Sequence, residues 1–403
     1  MAERVKGVRD FTGKEALIRA DAIEKIRKTY EEFGFEPIET PAFEYLSLFT
    51  NKSGPEIEEQ LYAFEDKKGE KLALRPEHTI SKLRVVSGNR STVFPMKAYS
   101  IGNVWRYEDV RKGRWREFVQ ADIDVFGSSS LKYDAEVIAC VDTALKKIGL
   151  SNFNIKLSNR KILQSLMEDL GVLPSEGIQV LREIDKKNKL GLEEVTKRIS
   201  EIIGNEKAGK VRDFISSETA PASEGYKELS SVIDILNKDY GIKNTLFDKS
   251  LVRGQDYYDG TIIEFESTEK GFEGLVFAGG GRYDKLSKKF GSVFPIVGCS
   301  IGFDVVMEIL TTKLTDDFIE RYCVLNIDAP EKAVEIATKL RRKGLSTDML
   351  LENVPLSKGL AYCASKRIRY AVIVGSKDLE KGEVTIRDLK DKKDTKIKET
   401  ELL

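Results

Sequence analysis

Apolar positions near the start of the chain recur with helical spacing. Ile23, Ile26, Tyr30 and Phe33 fall on one stripe of a helix predicted over 14–33, and Gly34 stands where a C-terminal stop belongs. The pattern then turns to strand-formers. FEPIETPAFEYLSLF reads as a strand interrupted by Pro41. KLALRPEH, MKAYSIGNVWRYE and REFVQADIDVFG are rich in β-branched and aromatic residues with turn signals between them, which predicts an antiparallel sheet. Helical spacing returns over 133–148 and 160–170. Residues 172–225 keep it, with many charges and no good strand, and so predict a small helical insertion. Strand-like SLVRGQDYYDGTIIEFES and a glycine-rich FAGGGRYDKL loop follow.

From about residue 318 strands and helices alternate. YCVLNI, LSTDMLL, YAVIVG and GEVTIRDL read as strands, and 331–343 and 357–367 as helices. The first of these helices sets Ala333, Val334, Ile336, Ala337 and Leu340 on one face and stops at Gly344. This rhythm predicts a separate small α/β domain. The expected organisation is an α+β domain on an antiparallel sheet over 1–171 and 226–317, split by a helical insertion at 172–225, with an α/β domain at 318–403.

Bulk numbers narrow the function classes. A chain of 403 residues suggests two or three domains. With 66 basic and 66 acidic residues the net charge is zero, so a nucleic-acid partner has to be met by local basic patches. No apolar run reaches the roughly 18 residues of a membrane span. The N-terminal MAERVKGVRDF has no apolar core of a secretory signal, which favours the cytosol. The four cysteines form no CxxC pair and are expected as small buried side chains. The single histidine, His78, excludes a His-rich metal site, and no protein metal ligands are expected.

Four segments carry candidate chemistry. In GNVWRYEDVRKGRWREFVQADIDVFG, Arg106 and Glu108 share a strand face, Arg111, Lys112, Arg114 and Arg116 follow in a loop, and Phe118, Gln120, Asp122 and Asp124 alternate along a second strand. Guanidinium groups match phosphate oxygens and an aromatic ring stacks on a base, so this hairpin suits a nucleotide. Composition alone does not choose between that and a solvated, charge-laced hairpin. In LVRGQDYYDGTIIEF, Arg253 beside Tyr257 and Tyr258 suits an anion next to a polar-tipped pocket, although a surface arginine with core tyrosines is the plainer reading of the segment by itself. AGGGRYDKL allows close backbone approach to a ligand but lacks both the P-loop and the GxGxxG spacing. LALRPEHT offers Glu77 for an ammonium group with Thr79 in support.

Taken together and in this order, the segments resemble the histidyl-tRNA synthetase family over nearly the whole chain. KGVRDF resembles its opening segment. FEPIETPAFE resembles class II motif 1, with Pro41 as its proline, and WRYEDVRKGRWREFVQADIDVFG resembles motif 2. LVRGQDYYDGTIIEF and AGGGRYDKL resemble the two segments peculiar to histidine enzymes, and the region from Tyr322 resembles an anticodon-binding domain. The resemblance implies a class II fold, a homodimer joined through motif 1, and a ligase that uses ATP with Mg²⁺, histidine and tRNA(His).

It also implies roles. Arg106 and Arg253 act as catalytic arginines, holding the α-phosphate and the histidine carboxylate. Glu108, Arg114 and Phe118 complete the ATP site with them. Glu77, Thr79 and Gln120 bind the amino group, Asp124 and Tyr258 recognise the imidazole with Tyr283 lining the same pocket, and His78 and Tyr257 belong to the same histidine site. Lys366, Arg367 and Arg369 form a basic stretch able to meet RNA phosphate, a solvated helix end being the alternative. One position departs from the pattern. In VGCSIGFDVVMEIL, which occupies the place of motif 3, Val305 stands where the family has an arginine on the γ-phosphate. That departure keeps a second reading open, a catalytically silent histidine-binding relative such as the regulatory subunit of ATP phosphoribosyltransferase, which usually lacks an anticodon-binding domain.

Overall fold

Along the chain the elements run α1 (Gly13–Glu32), β1 (Glu36–Pro37), β2 (Phe43–Tyr45), α2 (Leu46–Thr50), β3 (Ala63–Glu65), β4 (Lys71–Leu74), α3 (Thr79–Gly88), β5 (Met96–Trp105) and β6 (Glu117–Phe126). Next come α4 (Leu131–Lys147), β7 (Phe153–Asn159), α5 (Arg160–Asp169), α6 (Pro174–Asp185), α7 (Lys187–Leu190), α8 (Leu192–Ile203), α9 (Asn205–Ser216) and α10 (Glu224–Asp239). Then follow β8 (Thr245–Phe247), β9 (Thr261–Ser267), β10 (Val276–Arg282), β11 (Ile296–Gly302) and α11 (Phe303–Thr312). This computed structural model describes residues 3–50, 59–111, 113–217, 219–252, 257–312 and 319–401. Two compact units divide the chain, residues 1–10 with 20–310 and residues 11–19 with 311–403.

The first unit is built on an eight-stranded sheet in the order β1-β5-β6-β11-β10-β9-β7-β8. Its end pairs, β1 with β5 and β7 with β8, are parallel, and the pairs between them are antiparallel. The central strand β6 shows why one face is helical and the other open. Ala121, Ile123 and Val125 are buried beneath helices, with the Tyr30 hydroxyl of α1 donating to the Ala121 carbonyl at 3.0 Å. The alternate residues Phe118, Gln120, Asp122 and Asp124 face the other way. Helix α4 packs on the apolar side, its N-terminus capped by Ser130 and its Val137, Ile138, Val141 and Leu145 fully buried. Helices α6 to α9 form the inserted segment and pack around Val180, Ile184, Val195, Ile199 and Val211.

Three local readings differ from the sequence pattern. The FEPIETPAFEYLSLF segment is interrupted at Pro41 as expected, with β1 before it and β2 after it, but it ends in the helix α2 instead of continuing as a strand. The glycine-rich segment is not a loop: it is β10, inside the sheet between β9 and β11. The physical reason is close packing, since a Cβ on Gly280 would stand 2.0 Å from the Gly298 carbonyl oxygen of β11. The strand β7 and the helix α3 had no periodic signal strong enough to mark them.

In the second unit β12 (Ile319–Ile327), α12 (Pro330–Arg342), β13 (Thr347–Leu350), α13 (Leu356–Ser365), β14 (Ile368–Gly375), α14 (Ser376–Leu379), β15 (Glu383–Asp388) and β16 (Lys393–Lys398) make a five-stranded sheet ordered β13-β12-β14-β15-β16. Ala333, Ile336, Ala337 and Leu340 of α12 cover one face and Cys363 of α13 the other. Val334, expected on the buried face, is 45% exposed. Arg369 is not free for RNA: Glu320 accepts from it at 2.8 Å, Asp388 at 2.9 Å and Asp391 at 3.0 Å. All four cysteines are buried, and no helix among the described residues is long and apolar enough to cross a membrane.

Candidate active site

On the open face of the sheet lies a cavity enclosing about 1320 Å³ of non-atom space, its mouth included. Its floor is β6, through Phe118, Gln120, Asp122 and Asp124, with β10 and β11 beside it. Glu77 and Thr79 enter from the start of α3, Arg106 and Glu108 from the end of β5, and Arg114 from the following loop. Tyr257, Tyr258 and Tyr283 close one end, their rings 4.9–6.1 Å apart. Of the residues expected at the site, all of these line the cavity. Arg253 lies outside the described residues.

His78 does not line it. Its ring is buried behind β5, and Nε2 donates to the Gly102 carbonyl at 3.2 Å, which fixes the tautomer as Nε2–H. Burial, with the Lys82 and Arg75 charges next, pushes its pKa down to about 3, so the ring is neutral. The expectation that His78 contacts substrate is therefore corrected: it packs the segment that carries Glu77 and Thr79.

The positions of the lining groups follow from bonds between segments. Arg106 donates from Nε to the Pro76 carbonyl at 2.9 Å and lies 5.4 Å from the Phe118 ring. Arg75 donates to the Asn103 carbonyl at 2.9 Å and to the Thr40 carbonyl at 2.6 Å, which ties motif 1, the Glu77 segment and β5 together. Glu77 accepts from the amides of Thr79 at 2.6 Å and Ile80 at 2.9 Å, so it caps the N-terminus of α3. Burial nevertheless raises its pKa, against those bonds. Arg114 is paired with Glu108. Asp304, beside Val305, accepts from the Val119 amide at 2.6 Å and is paired with Arg9 of the KGVRDF segment.

Asp124 has two internal partners, the ammonium of the fully buried Lys82 and the Tyr283 hydroxyl. Burial raises the Asp124 pKa, with Lys82 opposing. Burial and the neighbouring Asp124 charge raise the Tyr283 phenol well above its ordinary value. Glycine is required opposite: a Cβ on Gly298 would fall 2.0 Å from Asp124 Oδ1. Sequence reasoning missed Lys82, Ser300 and Gly298. The alternation along β6 marked Asp122, whereas nothing in the pattern marked Lys82 as buried.

The profile of histidyl-tRNA synthetase matches residues 7–306. The chain belongs to the histidyl-tRNA synthetase family. An anticodon-binding domain profile matches residues 322–403. A histidine–tRNA ligase of Pyrococcus abyssi is 38% identical, with 96% of this chain and 95% of the relative aligned. One from Archaeoglobus fulgidus is 34% identical over 99% and 98%. The histidyl-tRNA synthetase of Nostoc sp. PCC 7120 has the same fold, at TM-score 0.87 and 24% identity over 99% of this chain and 97% of that one. The α+β sheet with a separate anticodon-binding domain is thus the family's fold.

Proposed function

We propose that this cavity forms histidyl-adenylate from histidine and ATP, and that the chain then transfers histidine to tRNA(His). As a histidine–tRNA ligase it releases AMP and diphosphate. The observation that carries the reading is the sequence of chemistries along β6. Phe118, under Arg106, offers a stacking face for adenine beside phosphate-binding guanidinium. Three alternations further on, Asp124 and the three tyrosines offer an acceptor and phenols to a neutral imidazole, which has one donor and one acceptor nitrogen.

In the reaction the histidine carboxylate attacks the α-phosphorus in line and diphosphate leaves with its electron pair. The protein's task is positioning and charge neutralisation. Arg106 and Arg253 are proposed to hold the α-phosphate and the attacking carboxylate, Glu108 the adenine side, and Arg114 the terminal phosphates. Glu77, Thr79 and Gln120 are proposed to hold the amino group. Mg²⁺, if bound with ATP, would supply counter-charge to the phosphates alongside Arg114. The second unit is proposed to read the tRNA anticodon, and the cytoplasm is the proposed location.

A homodimer through the motif 1 region is supported by an apolar outer surface on the β2-β4-β3 sheet. Phe43 is 53% exposed, Tyr45 60% and Phe64 43%, and the Phe43 and Phe64 rings meet edge-on at 6.3 Å. The decisive test is charging of total tRNA with each amino acid in turn, together with histidine-dependent ATP–pyrophosphate exchange. Arg253→Ala should lower kcat of exchange far more than it raises the ATP KM. An exchange rate within about threefold of wild type, under ~1 kcal/mol, removes Arg253 from the chemistry.

A further inference from the structure

Among the described residues, the cations that line the cavity are Arg106 and Arg114. Arg106 is anchored at the end of β5 by the Pro76 carbonyl. Arg114 belongs to the loop between β5 and β6, and its side chain is half-exposed. Across from that loop, the residues of α11 on the cavity wall are Asp304 and Val305, neither of them a cation. A Cβ on Gly113, next to Arg114, would stand 3.9 Å from a Val305 methyl. The reach of Arg114 into the cavity is therefore set by whatever fixes the loop.

The N-terminal KGVRDF segment holds that loop at its base. The Gly7 carbonyl accepts from the Arg116 amide at 2.8 Å, and the Arg116 carbonyl accepts from the Arg106 amide at 3.0 Å. Gly7 has φ +91°, and a Cβ there would stand 2.7 Å from the Arg116 side chain, so the approach requires glycine. Two residues on, the Arg9 guanidinium lies 4.1 Å from the centre of the Trp115 ring. It is also paired with Asp304 and lies 3.8 Å from Glu308, two carboxylates one turn apart on α11. Trp115 Nε1 donates to the same Glu308 at 3.0 Å. Arg9, Trp115 and Glu308 thus close a triangle at the base of the loop. A planar guanidinium can stack by its face while its edge meets carboxylates, which an ammonium cannot do. All of these groups but the loop itself are largely buried, so salt screens the pairs weakly.

We propose that Arg9 is a positioning residue of the ATP site: it holds Trp115 against α11 and so sets the loop that presents the adjoining Arg114 to the terminal phosphates. The inference deepens the reading of this end of the cavity as a nucleotide site and rests on it. A group that only stapled the fold would change stability. A positioning residue changes the use of ATP, and does so through Arg114.

A double-mutant cycle separates the two. Histidine-dependent ATP–pyrophosphate exchange is measured for wild type, Arg9→Ala, Arg114→Ala and the double variant, with the histidine KM and the melting temperature of each. Arg9→Ala should raise the ATP KM about fivefold and keep the histidine KM within about twofold. Arg114→Ala should raise the ATP KM at least as much, and in its background Arg9→Ala should add less than about twofold, because the group it positions is gone. Trp115→Phe keeps a ring under Arg9 and loses the bond to Glu308. It should raise the ATP KM about two- to threefold, again only while Arg114 is present. It leaves the ion pairs of Arg9 with α11 in place, so it decides by the same criteria if Arg9→Ala does not fold. Losses that multiply in the double variant, an unchanged ATP KM in both Arg9→Ala and Trp115→Phe, or equal losses for histidine and ATP overturn the proposal. Absence of exchange in wild type overturns the nucleotide-site reading and this proposal with it, whereas normal wild-type exchange with multiplying losses overturns only the proposal.

Discussion

The single histidine offers a direct measurement of how strongly the fold holds the Glu77 segment. His78 is neutral in the folded chain, with a pKa of about 3 against 6.5 in the open chain. A lowered folded pKa means that the unfolded chain takes up the proton first. The contribution is fully present above pH 6.5 and is lost progressively as pH falls from 6.5 towards 3. At 1.36 kcal/mol per pH unit, the gap between 6.5 and about 3 is worth about 5 kcal/mol at full expression. At pH 5 about 2 kcal/mol of it is gone.

Both tryptophans, Trp105 and Trp115, lie in the first unit, so their fluorescence reports its unfolding. Urea unfolding of wild type and His78→Gln at pH 7.5 and pH 5 gives a double difference in which other titrating groups cancel. We expect wild type to lose about 2 kcal/mol more than the variant on going to pH 5. The imidazole NMR signal of the folded protein, with no other histidine to confuse it, should not shift down to about pH 4. A midpoint near 6.5, or the same acid loss in His78→Gln, refutes the buried neutral imidazole.

Lys82→Met should destabilise the first unit by about 3–5 kcal/mol by leaving Asp124 unpaired, and adding Asp124→Asn should return part of that in urea unfolding. Asp124→Ala and Tyr258→Phe should each weaken histidine by roughly 1–3 kcal/mol in exchange assays without changing the ATP KM, and an unchanged histidine KM in both removes them from recognition. Val305 lines the cavity beside Gly113 rather than packing in the core. Val305→Arg should therefore lower the ATP KM or raise kcat with little change in melting temperature, and unchanged ATP kinetics in a folded variant would mean that Arg114 and Mg²⁺ already suffice. Removing residues 321–403 should abolish selective tRNA charging while adenylate formation stays measurable.

Much of this was legible because the signals are local. The two-residue alternation of β6 named its cavity face, and the helical stripes of α1 and α12 named Ile26, Tyr30, Ala333 and Ile336 as core. Misreadings came where tertiary contact overrides local preference. Glycine marks loops, yet Gly280 is in β10 because β11 approaches too closely for a side chain. Lysine marks surfaces, yet Lys82 is fully buried because Asp124, 42 residues on in sequence, supplies its counter-charge. His78 sits between two residues of the cavity wall but turns to Gly102. A basic run suggested RNA, yet the carboxylates around Arg369 come from two other stretches of chain, at Glu320 and at Asp388 with Asp391. No sequence window contains such partners.

The same long-range pairing explains why the cavity is polarised. Glu77, Asp122 and Asp124 are buried carboxylates whose pKa values burial raises, and the buried Lys82 opposes that rise at Asp122 and Asp124. Because their folded pKa values are raised, they cost stability as pH rises through those values, a cost that a purely structural core would avoid. Arg106 and Arg114 stand at the other end with Phe118, the end proposed for the nucleotide. On the proposed function, an amino acid entering this field is oriented by its own dipole, the ammonium towards the buried carboxylates and the carboxylate towards Arg106. That orientation would turn the attacking oxygen to the phosphate, so the stability given up by burying these carboxylates is recovered in positioning the substrate.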